Sequence, residues 1–177
     1  MIVAKKSKVG LIFTIVSILF LLLGLLDPEE FVAFLIIGIV ILIIGICIMI
    51  SSGKQFKKKK EALERLNSDG TVDRLNSEIG SGRTKYYKKL ALAVNDREVF
   101  IDGPDATLVK MEEISRVYRT NVINGQYNYQ NQAIDLDLKD GRRYCVGSVS
   151  RKNVPGEFGE VLNFIRNRVA ASLEGGI

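Results

Sequence analysis

The chain has 177 residues, 47% of them hydrophobic and 25% charged, with a formal net charge of +5, two cysteines and no histidine. That length holds one domain of ordinary size with small appendages. The missing histidine removes the commonest general base and metal ligand, and two cysteines without metal-ligand spacing exclude a disulfide framework. The charge is uneven: eight lysines and three acidic residues up to Lys60 account for the whole excess, and residues 61–177 carry 17 basic and 17 acidic residues. A nucleic-acid-binding domain carries its own basic face, so none is expected here.

In chain order, Val9 to Leu26 and Phe31 to Ile50 are both free of charge. Each is close to the ~20 residues that cross ~30 Å of hydrocarbon. A buried core helix of this length would keep a polar edge. A signal peptide, with Lys5, Lys6 and Lys8 as its basic start, would have a shorter apolar core and an A-x-A-like site after it. The reading is therefore an uncleaved two-span hairpin, with spans at about 9–26 and 29–50. In the acidic link, Asp27 is expected to cap the second helix, with Pro28, Glu29 and Glu30 in its first turn. Lys5, Lys6 and Lys8 precede the first span, and Lys54, Lys57, Lys58, Lys59 and Lys60 follow the second. Positive residues stay on the cytoplasmic side. The chain is expected at the cell membrane as a multi-pass protein with both termini cytoplasmic. The second lysine group is expected to touch anionic headgroups, at about 1 kcal/mol per residue.

Small residues recur every seven positions: Gly10, Ser17 and Gly24 in the first span, and Gly38, Gly45 and Ser52 in and just after the second. Seven residues are two helical turns, so each set forms one seam, and small seams let helix backbones approach in lipid. Three readings stay open: packing within the hairpin, packing against another chain, or chance spacing. No ionisable residue lies within either span, which reads as an anchor rather than a transport path.

Residues 1–53 are thus assigned to the hairpin, 54–82 to a basic juxtamembrane linker and 83–177 to a strand-rich cytoplasmic domain. In the linker a helix is expected from Gln55 to Leu66, ended by "NSDG", then a short helix with Thr71 as cap and Gly80 as stop. Short strands follow: Tyr86–Val94, a turn at "NDR", Glu98–Ile101, a turn at Asp102–Asp105, then "ATLVKM" and "EEISRVYRTNV", with Ile114, Val117 and Tyr118 on the buried side. Asn124–Gln132 reads as a polar loop, and its Tyr127 and Tyr129 are a candidate partner surface. In "AIDLDLKDGRRYCVGSV", Ile134, Leu136 and Leu138 alternate with Asp135 and Asp137, which are expected to face water. A three-residue loop with Gly141 left-handed pairs Leu136 with Tyr144, Ile134 with Val146 and Asp137 with Arg143. A helix from about Pro155 to Leu173 closes the chain, with Phe158, Leu162, Ile165 and Val169 as its apolar stripe.

The expected fold class is a membrane α-hairpin plus α+β: about six antiparallel strands in a small curved sheet or barrel, with a C-terminal amphipathic helix. The stretches "LALAVNDREVFI", "VKMEEISRVYR" and "IDLDLKDGRRYCV", with the final helix, make Lys85–Leu173 resemble bacterial pleckstrin-homology-like domains. The likeness is closest to membrane proteins of unknown function that carry one behind a two-helix hairpin. The resemblance implies a binding or scaffolding module without catalysis. It also implies that a phosphoinositide site would need a basic first hairpin, and the turn expected there, "NDR", holds only Arg97.

No P-loop, G-x-S-x-G or dinucleotide fingerprint is present. No catalytic residue, cofactor or metal is expected. The expected function is a membrane-anchored, non-enzymatic module that presents its domain to a protein partner. The alternatives are a sensor of anionic lipid surfaces using the juxtamembrane lysines, with Lys85, Lys88 and Lys89, and, last, an unfamiliar membrane-anchored enzyme.

Overall fold

The computed structural model describes residues 2–5, 7–26, 31–123 and 125–174. Lys6 and the cap and link expected at Asp27–Glu30 lie outside the described residues, as does Asn124. The chain divides into two compact units, Val3–Glu61 and a strand-rich unit of Ala62 onward that includes Ile2.

In the first unit, α1 (Val9–Leu26) and the apolar part of α2 (Phe31–Asn67) run antiparallel. Of the two, α2 is long and apolar enough to cross a membrane. No break separates its apolar and charged parts, so the helix expected from Gln55 to Leu66 is the continuation of the apolar segment and not a separate element. A glycine within a helix costs only about 1 kcal/mol, and the Ser52 hydroxyl returns to the Met49 carbonyl at 3.1 Å instead of capping a new helix. The helix stops where Gly70 takes a left-handed φ of 76°.

Thr71 begins α3 (Thr71–Gly80) without capping it. The Asn67 side-chain oxygen takes the Asp73 N–H at 3.1 Å, and Asp69 takes that of Thr71. The left-handed stop is Gly82, two residues beyond the expected Gly80. Its N–H returns to Ile79, and those of Arg83 and Thr84 both return to Glu78, so the last carbonyls of α3 are occupied.

Nine antiparallel strands follow among the described residues. β1 (Lys85–Tyr87), β2 (Leu92–Val94), β3 (Glu98–Ile101) and β4 (Thr107–Lys110) form a meander. The single strand expected over Tyr86–Val94 is split. The Leu90 N–H closes a turn on the Tyr87 carbonyl at 3.1 Å, and Ala91 adopts a φ of 51°. The first hairpin turn therefore holds Lys88 and Lys89, and "NDR" is the second turn.

After a 3-10 turn at Met111–Glu113, β5 (Ile114–Thr120), β8 (Asn131–Leu138) and β9 (Arg143–Ser150) form a second sheet in the order β5-β8-β9. Between β5 and β8, β6 (Val122–Ile123) and β7 (Gln126–Tyr127) make a separate two-stranded ribbon, where a polar loop was expected. The sheets do not close into a barrel. The three-residue loop holds: Gly141 has a φ of 87°, and Leu136 faces Tyr144, Ile134 faces Val146 and Asp137 faces Arg143.

The last helix, α4 (Gly156–Glu174), lies against β5 and the 3-10 turn. Its Phe158, Val161, Leu162, Ile165 and Val169 are buried with Leu92, Val94, Val99, Ile114, Val117, Ile134 and Leu136 in one core. Arg166 closes an open strand edge by donating from Nε to the Val117 carbonyl at 3.1 Å. The unit is α+β, with hydrophobic burial as its main source of stability.

Candidate functional site

Small-residue positions of the two helices meet within the hairpin at two levels, and at a third Gly24 meets Phe34. A Cβ placed on Gly45 would lie 3.1 Å from Phe13 Cβ and 3.3 Å from the Thr14 amide nitrogen. At the middle level Ser17 is fully buried, and its hydroxyl donates to the Gly38 carbonyl at 2.7 Å. At the third, a Cβ on Gly24 would lie 3.0 Å from Phe34 Cβ. Gly10 lies against Gly45 and Met49, while Ser52 bonds only within its own helix. Close backbone approach and an interhelical hydrogen bond thus mark the contact between the two helices.

Lys54, Lys57, Lys58 and Lys60 are exposed along α2, and Lys59 is half-buried. Lys57 makes an exposed i,i+4 pair with Glu61 at 3.9 Å, worth a few tenths of a kcal/mol at ~0.3.

Tyr127 on the β6–β7 ribbon and Tyr129 in the bend that follows come together, edge to face with ring centroids 4.8 Å apart. Tyr129 is 81% exposed, the most open large apolar side chain among the described residues.

The strand alternation at Asp135 misled: this side chain is fully buried. Ile134, Leu136 and Leu138 do face the core, but the opposite face of β8 is covered too. There Arg143 pairs with Asp135 and lies over the Tyr118 ring, 5.7 Å from its centroid. Tyr118 therefore belongs to this outer face, opposite Asp135 in register, and not beside Val117 in the core. Cys145 is exposed at the same level.

A polar constellation that the sequence did not reveal surrounds the β2–β3 turn. Asn95 Oδ1 accepts the N–H groups of Arg97 and Glu98 at 2.8 and 2.9 Å, and Asn95 Nδ2 donates to Glu78 at 3.1 Å and to Thr84 at 3.0 Å. Glu78 also accepts from the Thr84 hydroxyl at 2.7 Å. Arg74 reaches Glu78 at 3.1 Å and the buried Glu98 at 2.6 Å. The Thr84 hydrogen bond, with Arg74 and Asn95 behind it, holds the Glu78 carboxyl below its ordinary range. These bonds pin α3 to the face of β3 opposite the core.

Around this turn the described residues line three clefts. One of about 400 Å³ is lined by Arg97, Lys110, Met111 and Ser172 among others. A second, of about 410 Å³, is lined by Glu78, Arg83, Asn95, Asp96 and Arg97. The third, of about 250 Å³, adds Lys85, Tyr87, Val94, Glu160 and Phe164. Asp96 pairs with Arg168 at 2.6 Å, and Lys85 pairs with Glu160. Burial, reinforced by Glu160, pushes the Tyr87 hydroxyl up. Among the described residues no cluster of carboxylate and thiol groups has the arrangement of a metal site. The charged groups at this turn are Arg74, Glu78, Arg83, Asp96, Arg97 and Glu98. Only the "NDR" turn signal, with its capping Asn95, marks the place in the sequence.

Comparisons of the chain with protein-family models, with curated proteins and with solved structures find no match.

Proposed function

We propose that this protein is a membrane-anchored, non-enzymatic binding module. In this reading α1 and α2 form a two-span anchor in the cell membrane with both flanks cytoplasmic. The strand-rich unit is a pleckstrin-homology-like domain that engages a protein partner at the membrane surface. The observation that carries the reading is α2, whose apolar segment continues unbroken through Lys54–Lys60 to Asn67 and then, after one turn, into the strand-rich unit. Any domain continuous with such a helix is confined near the bilayer.

Two further observations support it. Ile2, which precedes α1, is buried, and its N–H and carbonyl are both bonded to the side chain of Asn76, which follows α2, at 2.6 and 3.3 Å. A hydrogen-bonded pair that brackets both helices in sequence fits an anchor whose ends emerge on one side. The order of four strands, then three, then a helix against β5 fits the pleckstrin-homology-like pattern, with the β6–β7 ribbon inserted.

The test is in-cell cross-linking of the tagged full-length protein beside a chain that ends at Asn67. A discrete protein recovered only with the full-length chain is the expected result. Identical recoveries from both would remove the partner from the strand-rich unit.

One observation favours the lipid-surface alternative: Lys88 and Lys89 are exposed in the turn of the first hairpin. A fluorescent probe at Lys89→Cys, with Cys47→Ser and Cys145→Ser, in nanodiscs would report it. A salt-sensitive signal specific to anionic lipid supports this reading, and equal signals in anionic and zwitterionic lipid reject it.

A further inference from the structure

The clefts at the β2–β3 turn hold two guanidinium groups without a carboxylate partner. Among the described residues the Arg97 guanidinium makes no hydrogen bond or ion pair, and that of Arg83 makes one hydrogen bond, from Nε to the Ser81 hydroxyl at 3.2 Å. Both line the same cleft of about 410 Å³. The two carboxylates that share this lining are engaged elsewhere: Glu78 with Arg74, Thr84 and Asn95, and Asp96 with Arg168. With the partners Arg74, Glu98 and Arg168 counted, the cluster around this lining keeps a formal excess of one positive charge. Its backbone is held by the sheet and by Asn95, since Arg97 accepts the Met111 N–H at 2.7 Å while its own N–H goes to Asn95. A planar guanidinium presents paired donors that match the oxygens of a phosphate or carboxylate. Next to this polar half, the cleft of about 250 Å³ shares Arg83, Asn95 and Asp96 and adds the apolar surfaces of Tyr87, Val94 and Phe164. Together they have the size and the apolar-plus-polar make-up of a small-ligand site.

We propose that this surface binds a small organic oxyanion, with Arg83 and Arg97 holding its phosphate or carboxylate and Tyr87, Val94 and Phe164 receiving its apolar part. The site goes beyond the anchored-module reading and does not depend on it. It lies at the Asn95–Arg97 turn and uses neither Lys88 and Lys89 nor the lysines of α2. The groups that hold the anion are exposed guanidiniums, so binding weakens as ionic strength rises.

The experiment is calorimetric titration of the full-length protein in detergent micelles with phenyl phosphate, benzoate and inorganic phosphate at low salt. Saturable binding of phenyl phosphate or benzoate is expected, tighter than that of inorganic phosphate. Arg83→Ala and Arg97→Ala should each weaken it about tenfold, as loss of one charge-assisted contact does. Phe164→Ala should weaken phenyl phosphate and leave inorganic phosphate unchanged. The benzoate arm separates carboxylate from phosphate as the group held. Arg83→Lys and Arg97→Lys keep the charge and the fold, and should lose part of the affinity through loss of the paired donors. Binding unchanged in both alanine variants, no binding of any of the three probes, or equal affinity for phenyl phosphate and inorganic phosphate would each overturn the proposal.

Discussion

The helical hairpin and the strand-rich unit are held together by opposite means. Where α1 meets α2, glycines and a buried serine let each backbone come close to the other helix, against Phe13, Leu21, Phe34 and Met49. In the strand-rich unit the contacts are large side chains, with Phe158, Ile165, Ile134 and Leu136 fully buried. Around a soluble core, water penalises every exposed apolar atom, so bulk is what stabilises. In lipid, the setting proposed for the hairpin, exposure is not penalised in that way, and close approach is what remains. It follows that truncation should damage one region and enlargement the other.

The largest effect is expected at Phe158. Phe158→Ala removes a fully buried ring from the start of the α4 stripe and should destabilise the strand-rich unit by about 3–5 kcal/mol, read by urea denaturation followed by near-ultraviolet dichroism of the tyrosines. A loss below 1 kcal/mol would mean that α4 is not integral to this core. The counterpart is Gly45→Leu, where Cβ already comes within 3.3 Å of the Thr14 backbone, which cannot swing aside as a side-chain tip can. Thr14 and Met49 are neighbours across the helices, with Oγ1 3.8 Å from the sulfur. In a chain carrying Thr14→Cys and Met49→Cys, with Cys47→Ser and Cys145→Ser, oxidation should link the helices efficiently, and Gly45→Leu should cut the yield severalfold. An unchanged yield would show that the seam does not set the approach.

Smaller effects should sharpen the contrast within each region. Arg143→Ala leaves the buried Asp135 without its cation and should cost about 1–3 kcal/mol, less than for a fully buried pair because Arg143 is half exposed. Asp135→Leu combined with Arg143→Leu should recover much of that loss, since neither charge then remains. If the double variant is no more stable than the single one, Asp135 is not held by this pair alone.

How far the sequence foretells each region follows from the same physics. The seven-residue spacing of small residues is periodic and local, and each expected position except Ser52 lies in the contact. The β8–β9 register was legible because Gly141 and the alternation of Ile134, Leu136 and Leu138 act within 15 residues. The split at Lys88–Ala91 was not, because Ala91 takes a left-handed φ usually reserved for glycine or asparagine, and nothing in "YYKKLALAV" marks it. Asp135 was misread because alternation identifies two faces and not which of them is covered; cover for the outer face comes from Tyr118 and Arg143, distant in sequence or across a loop. The constellation at Asn95–Arg97 was hidden for the same reason, since Arg74, Glu78 and Thr84 reach it from another element.

That constellation also supplies the mildest test. Glu78 is a carboxylate whose hydrogen bond from Thr84, together with Arg74 and Asn95, holds its folded-state proton affinity below the unfolded value near 4.5. Such a group contributes stability that is fully present above the unfolded value and is lost as pH falls through the lower, folded one. Denaturation midpoints should therefore be flat from pH 7 to about 5.5 and then drop as the solution is acidified. Glu78→Gln keeps much of the shape and hydrogen bonding but has no proton to gain there. Its stability at pH 7 should be lower than that of the parent, and the gap should narrow steadily below pH 4.5, because the parent alone loses the charged interaction. A gap that stays constant with pH would assign the role of Glu78 to its packing and neutral hydrogen bonds, with the charge on Arg74 answered mainly by Glu98.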